Sequence, residues 1–131
     1  VIDQLFVYGT LMPGHLRWSM VSGRSIARQP ALVPGTLYDT GNGWPAAVFG
    51  PTPTRRSIPG WVIWLEGPTI GALLGELDEM EGIGVPPDPA TDPYERIRVH
   101  VDGVTPAWAY HATRVEPGWR AIDSWLDQPE A

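Results

Sequence analysis

Glu81 is the residue most suited to chemistry, because it is charged and falls on the apolar side of its own helix. In Thr69–Glu81 (TIGALLGELDEME), Ile70, Leu73, Leu74, Leu77 and Met80 recur at helical spacing. At about 100° per residue, Glu81 falls within roughly 45° of the centre of that stripe, one turn past Leu77. Glu76 and Asp78 lie on the flanks and Glu79 nearly opposite, so three of the four carboxylates are expected in water. A carboxylate turned inward is costly unless something uses it, and burial raises its pKa. The combination suits a general base. The plainer alternative is a helix-end cap or an arginine pair, but a carboxylate at a helix C-terminus meets an unfavourable dipole.

Gly9-Thr10-Leu11 is the second feature with chemical potential. A strand that ends in a glycine-containing turn can aim successive backbone N–H groups outward, and such a nest holds a carboxylate or a developing oxyanion. Most strand–glycine turns do no more than turn the chain. Tyr94 opens a strand just after a proline-rich loop, which brings its hydroxyl towards the helix end. Arg96 and Arg98 share a strand face and read as surface or ion-pair residues. His15, His100 and His111 show no metal-ligand spacing. There is no Gly-x-Ser-x-Gly elbow and no Gly-x-Gly-x-x-Gly turn.

Around these residues the elements can be read in outline. Leu5–Tyr8 reads as a first strand, and Leu16–Val21 as one or two helical turns. Ser25–Tyr38 carries a strand signal broken at Pro30 and Pro34, and Ala46–Phe49 resumes a strand. Pro51–Arg56 is a hairpin or loop. Gly60–Leu65 (GWVIWL) is a fully apolar, central strand. The main helix follows, with Thr69 as its N-cap. Gly82–Pro93 contains four prolines and is a loop. Tyr94–Val101 alternates, with Tyr94, Arg96, Arg98 and His100 on one face and Ile97, Val99 and Val101 on the other. Ala107–Ala112 is a further strand, and Pro117-Gly118-Trp119 leads into a short amphipathic helix ending near Leu126. The seven tryptophans are expected mostly in the core. The order predicts an α+β fold with a strongly bent or barrel-like sheet.

The 131 residues make one domain, 1–131, with 43% hydrophobic and 18% charged residues. Fifteen glycines and fifteen prolines favour strands and loops over long helices. A net charge of −6 argues against a nucleic-acid partner. No apolar run reaches the length of a membrane span, so no membrane partner is expected. With no signal-peptide pattern, the cytoplasm is the expected location; residue 1 is Val, which leaves room for an upstream segment. Cysteine is absent, which excludes disulfides, thiol nucleophiles and zinc–thiolate sites. All nine basic residues are arginine, which excludes a Schiff-base lysine and a P-loop lysine.

Several ordered segments resemble the gamma-glutamylcyclotransferase-like family, which includes the gamma-glutamylamine cyclotransferases. They are Phe6–Leu11 with Pro13-Gly14, Pro34–Tyr38, Gly43–Ala46, Gly60–Trp64, Leu77–Gly82 and Tyr94–Val99. The resemblance runs from about Leu5 to Tyr110. It implies a mixed-sheet pseudo-barrel with one main helix and a short C-terminal helix. It also implies that Glu81 is the catalytic glutamate and that Tyr8, Gly9, Thr10 and Leu11 bind substrate, with Tyr94 nearby. The implied reaction releases 5-oxoproline and a free amine from a small gamma-glutamyl amine or peptide, with no cofactor and no metal. Two alternatives remain open: a non-catalytic module binding a small carboxylate or amide, and removal of a gamma-glutamyl protecting group in secondary metabolism. The Gly82–Pro93 loop is longer and richer in proline than the family's pattern, which leaves the amine-side specificity open; the sequence specifies neither whether this loop is a lid nor the oligomeric state.

Overall fold

A computed structural model describes residues 2–51 and 55–126. Its elements are β1 (Gln4–Val7), α1 (Ser19–Ser22), β2 (Ser25–Asp39), β3 (Pro45–Phe49), β4 (Ser57–Leu65), α2 (Ile70–Met80), β5 (Tyr94–Val101), β6 (Thr105–Ala112) and β7 (Arg120–Ile122). Six strands hydrogen-bond in the order β3-β2-β4-β1-β6-β5, and β7 pairs with β2. β1 runs antiparallel to β4 but parallel to β6, so the sheet is mixed. It bends far enough for its ends to meet. The Phe49 N–H on β3 donates to His111 Nδ1 on β6 at 3.1 Å, and the Asp102 N–H, in the β5–β6 turn, donates to the Leu32 carbonyl on β2 at 3.2 Å. The result is a nearly closed barrel with two helices, which is the expected α+β fold class.

β1 and β4 form the centre because both are apolar on nearly every residue. Leu5, Phe6 and Val7 are all buried, as are Val62, Ile63 and Leu65. α2 lays Ile70, Leu73, Leu74 and Leu77 on the same core. Full burial of Leu77 stabilises the fold by about 2 kcal/mol. Met80, the last residue of the stripe, is half-buried.

Two expectations need correction, and two hold in part. β2 is not broken at its prolines. It runs for 15 residues, and Pro30 and Pro34 sit where it pairs with β4 along one edge only. A proline with its missing N–H on an unpaired edge costs the ladder nothing. No helix forms between Pro117 and Leu126; Arg120–Ile122 is a strand against Leu37–Asp39. An available strand edge on β2, not the amphipathic pattern expected there, decides the outcome. Thr69 is the N-cap residue of α2, as expected, but its side chain makes no capping hydrogen bond. A 3-10 turn over Gly67–Thr69 precedes the helix, and the Thr69 hydroxyl donates back to the Glu66 carbonyl at 3.2 Å. Finally, the tryptophans meet the core mostly at its margin: Trp125 is buried, at 6% exposure, Trp18, Trp61, Trp64 and Trp108 are half-buried and packed against it, and Trp44 is 42% exposed. Part of the expected 51–56 loop, residues 52–54, lies outside the described residues. No helix among those described is long and apolar enough to cross a membrane.

Candidate active site

Glu81 is aimed by the way α2 stops. Its N–H closes the last helical turn on Leu77 at 2.9 Å, making it the C-cap. Gly82 follows at φ +80°, the left-handed conformation that L side chains rarely adopt. The Gly82 N–H then donates to the Glu79 carbonyl and the Ile83 N–H to the Asp78 carbonyl. This is a Schellman ending, with Ile83 buried against the core as its apolar clasp. The chain turns away from the helix axis, and Glu81 is left half-buried on the wall of a cavity.

That cavity measures about 480 Å³. Tyr8, Gly9, Thr10, Leu11, Glu81 and Tyr94 all line it. β1 ends at Val7 and hands the chain to a tight turn in which the Met12 N–H donates to the Gly9 carbonyl at 3.0 Å. Among the described residues, the N–H groups of Gly9, Thr10 and Leu11 have no acceptor within the chain. Gly9 is needed for close packing here, since a Cβ at that position would lie 2.7 Å from Pro45 Cγ.

Desolvation pushes the Glu81 carboxyl up from 4.5 to about 7. The positive charge of Arg17 pulls the other way, and the negative charge of Asp78 adds to the rise. Tyr94 is pushed up to about 12 by burial and then by Glu81, with the Trp44 side chain opposing. Burial, with Glu81 as the next cause, also holds Tyr8 well above its usual value. Tyr110 is raised too, by burial and by the Asp78 carboxylate it bonds to. At neutral pH the site therefore presents three neutral phenols around one carboxyl near its titration midpoint.

Asp78 departs from the expectation that it faces water. Its side chain is 23% exposed. Its Oδ1 accepts from Arg96 Nε at 2.9 Å and from the Tyr110 hydroxyl at 2.7 Å, and its Oδ2 accepts from the second arm of Arg96 at 3.3 Å. The Arg96 guanidinium also covers the Trp108 ring, 4.4 Å from its centroid. The Tyr8 hydroxyl donates to the Tyr110 carbonyl at 2.7 Å. α2, β5, β6 and the first turn are thus tied together just behind Glu81. Arg96 is an ion-pair residue, one of the two roles its position allowed, and Arg98 is exposed.

Sequence reasoning missed Arg17, Trp44 and Trp119, which also line the cavity. Loop residues carry no periodicity, so nothing announced them. Asp78 and Tyr110 were missed for another reason, as their roles depend on Arg96 from a distant strand. The Gly82–Pro93 loop is held by Asp92, which is 8% exposed and whose Oδ2 accepts from the N–H groups of Gly84 and Asp88. Arg114 grips the same loop by donating to the carbonyls of Pro89, Ala90 and Asp92. No group of three or more His, Asp or Glu residues that could hold a metal occurs among the described residues.

Comparison with known proteins agrees with this architecture. The uncharacterized protein PH0828 from Pyrococcus horikoshii superposes with a TM-score of 0.62 at 17% identity, over 95% of this chain and 88% of its own. YkqA from Bacillus subtilis gives 0.66 at 21% identity, over 95% of this chain but 39% of YkqA. Protein ytfP from Escherichia coli gives 0.57 at 26% identity, over 95% of this chain and 96% of its own. No curated protein matches the sequence. The likenesses to PH0828 and YkqA are likenesses of fold. Residues 5–127, nearly the whole chain, match the family described as gamma-glutamyl cyclotransferase, AIG2-like, and the chain belongs to that family.

Proposed function

We propose that the protein cleaves a gamma-glutamyl amide by cyclising its glutamyl part, releasing 5-oxoproline and the free amine. The observation that carries this reading is that Glu81, its carboxyl raised to about 7, lines one cavity with Gly9, Thr10 and Leu11, whose N–H groups have no acceptor among the described residues. Family membership supports cyclotransferase chemistry in general. The choice of substrate and the roles below are inferred from chemistry.

The nucleophile is the substrate's own α-amine, which is protonated at neutral pH with a pKa near ~8. Glu81 takes a proton from it, and a carboxyl raised towards that value is a better-matched base than an ordinary glutamate. The freed nitrogen attacks the γ-carbonyl carbon, and the carbonyl oxygen becomes an oxyanion. The N–H groups of the Gly9–Leu11 turn are the donors available to stabilise it. The bond from that carbon to the departing nitrogen then breaks as Glu81 returns a proton to the leaving group. Two protons move in all from the α-nitrogen to the departing nitrogen, and Glu81 ends as the carboxylate it began. Ring closure is intramolecular, so holding the glutamyl chain folded removes much of the barrier. Well-oriented pairs reach effective molarities on the order of 10⁵–10⁸ M. Trp44 and Trp119, which line the same cavity, offer apolar surface for the leaving amine.

Incubation with a panel of gamma-glutamyl amines and dipeptides, followed by chromatography for 5-oxoproline, tests the reading. At least one should be turned over by the wild type, and Glu81→Gln should lose at least about 10²-fold in kcat. Turnover by Glu81→Gln at the wild-type rate would remove Glu81 from the mechanism.

A further inference from the structure

Arg17 is a cation on the cavity wall with no side-chain partner among the described residues. It is half-buried and lines the same wall system as Glu81 and the first turn. Its guanidinium has no hydrogen-bond or ion-pair partner among the described residues, whereas Arg24, Arg96 and Arg120 each take a carboxylate of this chain. Arg17 and Glu81 sense each other's charge but do not pair. The backbone fixes where Arg17 starts: its N–H donates to the Thr10 carbonyl at 2.7 Å, which brings the chain back onto the turn after the Met12–His15 bend. Arg114 also lines the cavity, but it is committed to the carbonyls of the proline-rich loop. An unpaired guanidinium beside a carboxylate it does not touch leaves a place for a second anion. The planar fork of Arg fits a carboxylate with two parallel hydrogen bonds.

We propose that Arg17 is the receptor for the substrate's α-carboxylate, and so restricts the reaction to acyl donors that carry a free carboxylate beside the attacking amine. This deepens the cyclotransferase reading and rests on it. A γ-glutamyl group has its α-amine and α-carboxylate on one carbon, so fixing the carboxylate at Arg17 turns the amine towards Glu81. The same contact acts on the base. In the free protein the Arg17 charge holds the Glu81 carboxyl below where burial alone would put it. A bound carboxylate takes up that charge, so the guanidinium no longer acts on Glu81 alone. The other groups near Glu81 do not compete in this: Tyr8 on β1, Tyr94 on β5 and Tyr110 on β6 are held neutral, and Asp78 on α2 is already paired to Arg96. Arg114, held by the loop carbonyls, and Glu116 also line the cavity, one of each charge.

The test compares one γ-glutamyl amide with the 4-aminobutanoyl amide of the same amine, which lacks only the α-carboxylate and cyclises to 2-pyrrolidone. The wild type should prefer the γ-glutamyl compound. Arg17→Met should lose about 10- to 100-fold in kcat/KM on it and only a few-fold on the other, with Arg17→Lys in between. Equal losses on both substrates, or an undiminished preference in Arg17→Met, would overturn the proposal. Calorimetric binding of 5-oxoproline and of 2-pyrrolidone separates this inference from the function it rests on. If no γ-glutamyl compound is turned over but the wild type binds 5-oxoproline better than Arg17→Met does, the enzymatic reading fails and the carboxylate receptor stands. If both bind it equally, the receptor fails whatever the turnover.

Discussion

Replacing Glu81 by Gln should inactivate the protein and, at alkaline pH, make it more stable. The Glu81 carboxyl titrates near 7 in the fold against 4.5 when unperturbed, chiefly because the fold withholds water from its charged form. Between those two values the unfolded chain has already lost the proton that the folded one keeps. The unfolded state therefore binds fewer protons, and stability falls as pH rises from about 4.5 through 7. The full difference corresponds to a ceiling of about 3 kcal/mol at 1.36 kcal/mol per pKa unit. The side chain is only half-buried, so solvent screening reduces this to about 1–2 kcal/mol. Gln keeps the shape and drops the charge. Urea denaturation of both proteins at pH 5 and pH 8.5 should give nearly equal stabilities at the lower pH and a Glu81→Gln advantage of about 1–2 kcal/mol at the higher, or roughly 3–8 °C in Tm. A variant no more stable than wild type at pH 8.5 would show that the carboxyl is as well solvated in the fold as out of it, and the argument for a tuned base would fall.

Three other expectations follow from the same geometry. The kcat/KM of the wild type should rise with pH through an apparent pKa of about 7 on the acid side, as Glu81 loses its proton, and a profile flat from pH 5 to 8 would contradict the assignment. Asp78→Asn leaves the half-buried Arg96 without its counter-charge and should cost about 1–3 kcal/mol by chemical denaturation, with Tyr110→Phe costing about 1 kcal/mol. Gly82→Ala forces a side chain to φ +80° and should destabilise by about 1 kcal/mol while lowering kcat more than stability alone explains, because the helix ending is what aims Glu81; unchanged kcat would sever that link.

The sequence disclosed Glu81 because helical periodicity is a local property: five apolar positions define a face, and a charge placed on it stands out. It disclosed the Leu5–Tyr8 strand, the central Gly60–Leu65 segment and the alternating Tyr94–Val101 strand for the same kind of reason. Its failures share a cause in partners far along the chain. Asp78 looked solvent-facing because Arg96 and Tyr110, which cover it, arrive from β5 and β6. Pro30 and Pro34 looked like breaks because nothing local shows that one edge of β2 is unpaired there. Residues 120–122 looked helical because their strand partner lies at 37–39. Arg17 falls in the turn before α1, and only the assembled cavity reveals that its charge has no partner among the described residues.

The most direct measurement is the product balance for a gamma-glutamyl amide incubated with wild-type protein and with Glu81→Gln. Amine release matched one-for-one by 5-oxoproline in the wild type, with neither above background in the variant, is the predicted result. Amine matched instead by free glutamate would mean that water is the nucleophile, and equal 5-oxoproline from both proteins would mean that Glu81 is not the base; either outcome contradicts the mechanism.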